Sequence, residues 1–304
     1  MSERILTVGG SSASKPISDF LQVTDYQGPK AGTYYVDLNV AATGGGSPDH
    51  PFATVAEAIT ASNASIGLAA NRWWARRNRI FICGDGITED LTVLPEKCDL
   101  IGVGSDLHPF PRIVGVQHFV LAKVGVRFIN LGFYTNATSD LMSFPAGCHG
   151  LQILDCFMHP GTTSTKAIEI TDSAHVRILR NRITVGAGDT AVIFGVGISI
   201  EGTASIHDFE IADNFIFATA GIAVANGTTQ GSNISRNTIR VIGGLAINDD
   251  SDDVACVNNR LISSNGGLVE AQFCDWNRLL AVGNICTSDT AMDADIPTIV
   301  VLTS

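Results

Sequence analysis

The chain has 304 residues, 45% of them apolar and only 16% charged, with 31 glycines and a formal net charge of −11. So few charges beside so much apolar residue exclude intrinsic disorder, and the acidic surplus disfavours nucleic acid, which needs a basic surface. The same surplus does not suit a polyanionic substrate such as pectate unless metal ions screen it.

Residues 1–31 show no clean period. Gly9 to Ser14 is a flexible stretch, and the short apolar patch Phe20, Leu21 and Val23 follows. It reads either as an extended docking arm or as a disordered terminus. Met1-Ser2-Glu3-Arg4 leads into no apolar signal segment, and no stretch is long enough to span a bilayer, so export by a signal peptide and a membrane partner are not expected.

Residues 32–78 read as a cap. Thr33 to Asp37 is a short aromatic and β-branched strand, and Thr54 and Glu57 have capping-box spacing ahead of a helical stripe running to about Ala70. The cluster Trp73-Trp74-Ala75-Arg76-Arg77 reads as a seal between helix and body, with arginines at the helix C-terminal end; a docking patch or sugar platform is the alternative.

Residues 79–304 carry a repeat, apolar-x-apolar-apolar-x-Asn-x-apolar. It centres on Asn181, Asn214, Asn237, Asn259 and Asn284, with Leu131 and Cys156 in the same slot of two earlier copies. The slots step by 25, 25, 33, 23, 22 and 25 residues. A strand-like unit this short cannot bury a core alone and must stack on its neighbours, so the expected fold is an all-β solenoid. The longest step predicts an extra turn around Gly186 to Asp189. The tail, Ile299 to Leu302, is a last strand with no capping helix, an open edge that a second subunit would cover.

Stacking allows columns to be read across coils about 4.8 Å apart. One position before the slot, Asp155, Arg180, Asp213 and Arg236 alternate in sign, and Arg177 precedes Glu210 two columns over. This reads as a register-setting ion-pair ladder, with a cleft for a sugar acid as the alternative. Asp249, Asp250, Asp252 and Asp253 are weak calcium candidates, lacking the spacing of a calcium loop. The seven cysteines form no CxxC and read as small buried hydrophobes of a reducing compartment. Glu169, Asp172, Glu201, Asp208 and Asp213 are scattered acids, and no His pairs with a nucleophile. No catalytic residue, metal or cofactor is assigned.

The run from Thr33-Tyr34-Tyr35-Val36-Asp37 to Ser47-Pro48-Asp49-His50-Pro51-Phe52-Ala53-Thr54-Val55-Ala56-Glu57-Ala58-Ile59, followed by the Asn-x-Ile coils, resembles the pectin-lyase-like superfamily. The resemblance implies a right-handed parallel β-helix with an N-terminal capping strand and helix. It also implies that the slot asparagines lie in a bend, in the left-handed conformation, and bond one another across coils. It leaves the chemistry open, since the superfamily holds lyases, hydrolases and non-catalytic virion proteins. The arm-plus-rod layout resembles bacteriophage tailspikes, head fibres and capsid decoration proteins. That second resemblance implies a homotrimeric virion protein, made in the host cytoplasm and docked on a capsid or tail protein through its arm, with a host surface glycan as a further candidate partner. The alternative is a polysaccharide-degrading lyase or hydrolase.

Overall fold

The computed structural model describes residues 31–67, 76–104, 111–185, 192–202, 206–225, 229–249, 254–263, 273–274, 281–287 and 300–301. Phe20, Leu21 and Val23, Trp73 and Trp74, the turn at 186–189, and Asp250, Asp252 and Asp253 lie outside them, as does the Asp249 side chain.

The alternating segments form three parallel sheets. Sheet 1 runs in ten strands from Thr33–Asp37 to Ala281–Val282, and sheet 2 in ten from Ile87–Thr88 to Val300–Val301. Sheet 3 runs in seven, from Gln117–His118 to Phe273–Cys274. The chain visits them in turn. Gln152–Leu154 lies in sheet 1, Phe157–Pro160 in sheet 2 and Ser164–Thr171 in sheet 3, and Arg177–Leu179 then returns to sheet 1 beside Gln152–Leu154. This is a parallel β-helix. Every second residue points inward, so like stacks on like: Ile153, Ile178, Ile211 and Ile234 in sheet 1, and Ile168, Ile198, Ile222 and Ile247 in sheet 3. All are buried. The early coils are filled instead by aromatic rings, with Phe119 5.0 Å from Phe144 and Phe128 5.8 Å from Phe133.

Thr33–Asp37 pairs in parallel with Asn78–Cys83 and so lengthens sheet 1 by one strand. The helix Val55–Gly67 lays Val55, Ala58 and Ile59 on the same core. Its N-terminus carries the reciprocal capping box, Glu57 N–H to Thr54 Oγ1 at 3.3 Å and Thr54 N–H to Glu57 Oε2 at 3.2 Å. The free N–H groups of Val55 and Ala56 reach the Glu89 carboxylate at 3.0 and 2.9 Å, which satisfies two donors the helix cannot. Fully buried Asn78 ties the pieces together. Its Nδ2 donates to Ser62 Oγ at 2.9 Å, and its Oδ1 accepts from Gly32 N–H at 2.7 Å. At the far end Val300–Val301 pairs with Ile285–Thr287.

Two residues join sheet 1 to sheet 2 in coil after coil: Leu154 ends one strand and Phe157 begins the next, as do Leu179 and Arg182, Ala212 and Phe215, and Ser235 and Thr238. The left-handed residue of this corner is the one before the slot, not the slot asparagine that the resemblance implied. Asn130, Asp155, Arg180, Asp213, Arg236 and Asn258 have φ of 53–59°, and Gly283 has 69°. The physical reason is directional. The left-handed residue turns the chain while its own side chain stays outside, and the following residue is thereby aimed into the core. At Gly283 a Cβ would lie 2.1 Å from Asn258 Oδ1, so glycine serves there for space as well as for φ.

Candidate functional site

The slot asparagines are buried, each at most 2% exposed. Asn214 Oδ1 accepts from Asn181 N–H at 2.8 Å and Asn181 Nδ2 at 3.0 Å, while Asn214 Nδ2 donates to Ile178 O at 2.8 Å and to Asn237 Oδ1 at 3.0 Å. Asn237, Asn259 and Asn284 repeat the arrangement: Asn259 Oδ1 accepts from Asn237 N–H at 3.0 Å, and Asn284 Oδ1 from Asn259 N–H at 2.8 Å. Asn181, Asn214, Asn237 and Asn259 thus each use both donors and the acceptor, which removes the cost of burying them, and Asn284 Nδ2 donates to Cys256 O at 2.9 Å. At the lower end, Cys156 N–H donates to Asn181 Oδ1 at 2.9 Å, and the buried Cys156 and Leu131 side chains occupy the slot below.

One residue earlier the column faces solvent. Arg180 clasps Asp155 through two bonds of 2.7 and 2.8 Å, and Arg236 clasps Asp213 through two of 2.8 Å. The Arg236 hydrogen bonds, with a smaller contribution from the Arg180 charge, lower the Asp213 pKa. The four residues form two closed bidentate pairs. Arg177 lies 3.5 Å from Glu210 in the neighbouring column.

Chemistry concentrates on sheet 3, in residues that no motif marks. Strand register stacks Ser143, Glu169 and Ser199 in adjacent coils. Lys166 Nζ is paired with both Glu169 Oε1 and Glu201 Oε1. Ser143 Oγ donates to Glu169 Oε2 at 2.7 Å, and Ser199 Oγ to Glu201 Oε1 at 2.9 Å. Burial and then the Glu169 charge raise the Asp140 pKa. Glu169 is also partly buried, but hydrogen bonds from Lys166 and Ser143 outweigh that and lower its pKa. Two carboxyls whose environments push them apart are the disposition of an acid–base pair. Against that use, both Glu169 oxygens already accept bonds, one of them from Lys166. Of the scattered acids, the structure gathers Glu169 and Glu201, places Asp172 next to them, its N–H donating to Glu201 O at 2.9 Å, and leaves Asp208 and Asp213 elsewhere. Asp140 and Lys166 were missed, because nothing in sheet 3 marks register as the asparagine does between sheets 1 and 2.

A second buried cluster sits under the cap. Asp99, 4% exposed, accepts from Arg77 Nε at 2.8 Å and lies within 4.0 Å of Arg79 and 3.8 Å of Arg127. Arg76 donates to the Ser65 carbonyl in the last turn of the helix, where the helix dipole favours a cation. Thiol chemistry is suppressed at three cysteines: burial pushes Cys98 and Cys156 up to about 12 and Cys148 to about 11, so little of their thiolate exists near neutral pH. Among the described residues no group of three or more His, Cys, Asp or Glu could hold a metal ion, and no helix is long and apolar enough to cross a membrane. Neither family models, nor curated proteins, nor solved structures yield a match to this chain.

Proposed function

We propose that the chain is a non-catalytic structural rod of a phage virion, a homotrimer docked on a capsid or tail protein through residues 1–31. The fold is of the pectin-lyase-like kind, and the observation that carries a structural reading is how the acids are spent. Asp155, Asp213, Glu169, Glu201 and Asp99 are each held by a cation of the same chain. A lyase or hydrolase keeps carboxylates open to substrate, whereas a rod uses them to hold coils in register. The asparagine ladder serves the same end.

The alternative is a glycan-cleaving enzyme, favoured by one observation, the opposite pKa displacements of Asp140 and Glu169. Two measurements separate the readings. Light scattering on the full chain, and on one starting at Gly32, is expected to give a trimer for both. Incubation with neutral and acidic polysaccharides is expected to release neither reducing ends nor unsaturated sugars. Turnover that disappears in Glu169→Gln would overturn the structural reading.

A further inference from the structure

The three sheets do not share charge evenly. The strands of sheet 1 hold three acids and three arginines. Those of sheet 2 hold Arg112, Arg182, Arg240 and Arg260 and no Asp or Glu, in a chain of net charge −11. Those of sheet 3, among the described side chains, hold Glu169 and Glu201 against the single Lys166, with Asp140 just before the strands. One face is therefore cationic and the next one acidic.

The cationic face is also braced. The Arg182 guanidinium lies 6.0 Å from the Phe157 ring centre and 5.7 Å from that of Phe215. Arg112 lies 5.7 Å from Tyr134, Arg240 4.7 Å from Phe217, and Tyr134 stacks on His159 at 5.1 Å. These stacks run from coil to coil, so the ring faces are taken by neighbours. A sugar platform needs an open ring face, and each of these rings already has a guanidinium against it. What this surface offers is guanidinium groups held in place by cation–π contact, at little further entropy cost to a carboxylate partner.

We infer that this face binds the acidic face of a second copy of the chain, sheet 2 of one subunit against sheet 3 of the next. The inference deepens the proposed function, resting on its reading that the chain self-associates. Because the two faces differ, the contact is heterologous, and such contacts close into rings when the rotation allows. A ring with no rise along the rod needs its partners at one height. Arg182 and Glu201 meet that condition, since Arg182–Ile183 and Phe194–Glu201 are successive strands of one coil. The Glu201 side chain is 39% exposed although it touches Lys166, and Asp140 and Glu169 add acid beside it.

The test is light scattering, at low and moderate salt, on the full chain and on Arg182→Glu, Glu201→Arg and the doubly swapped variant, with circular dichroism to verify folding. Each single reversal is expected to weaken assembly at least about tenfold, and the double swap is expected to restore it. If the unaltered chain assembles and both single variants assemble equally well, this interface is wrong while self-assembly stands. A monomeric unaltered chain overturns both. An unaltered chain that stays monomeric and binds polygalacturonate through Arg182 assigns the face to an acidic polymer instead.

Discussion

Asn181 and Arg180 are neighbours in one corner of one coil, and their columns behave in opposite ways. The asparagines are sealed from water, and each amide completes the hydrogen bonds of the coil before it. The arginines, about half exposed, clasp acids in the coil before them. Inside, an unmade hydrogen bond has no water to replace it, so losing a partner costs the full desolvation of what remains. Outside, water replaces either partner. The difference teaches that the regularity of a column says little about its energetic weight until burial is known. The exposed column also holds Arg180 and Arg236 in the left-handed region, a cost of about 1 kcal/mol or more for such residues, which the bidentate pairs offset only in part.

The comparison breaks most readily at Asn214. Asn214→Ala leaves Asn181 N–H, Ile178 O and Asn237 Oδ1 each short of a bond, and should cost about 3 kcal/mol or more. Chemical denaturation measures it, and a loss under about 1 kcal/mol would mean the ladder is not what stabilises the corner.

Cys156 sharpens the comparison at the ladder's apolar end. Its thiol is held at about 12 in the fold against an ordinary value of 9.0. Below pH 9 both folded and unfolded chains keep the proton. Between pH 9 and 12 only the unfolded chain releases it, so stability falls as pH rises, by about 1.4 kcal/mol per pH unit for each such thiol. Cys98 and Cys148 act in the same direction. The stability of Cys156→Ala should therefore decline less steeply than that of the unaltered chain between pH 9 and 11. Parallel curves would show that the slot does not hold the thiol protonated.

The smallest effect belongs to the exposed column. Arg180→Ala should change stability by no more than about 1 kcal/mol and lose even that in high salt. A cost comparable to that of Asn214→Ala would place the ion pairs, rather than the amides, at the centre of the corner.

The repeat itself determined the solenoid. Alternating apolar residues around a fixed Asn leave a chain no other way to bury its core, and the two-residue corner keeps that marker in step from Leu131 to Asn284. Only the tertiary structure decided what meets on sheet 3. Ser143, Glu169, Ser199 and Ala223 stack on one another, yet they lie 12, 13, 18 and 9 residues after their slots at 131, 156, 181 and 214. The turn between sheets 2 and 3 varies in length, so spacing along the chain loses register there, and hydrogen bonding between strands restores it. The same holds for the left-handed corner. The sequence marks where the chain bends, but which of two adjacent residues takes the positive φ depends on which side chain must point into the core.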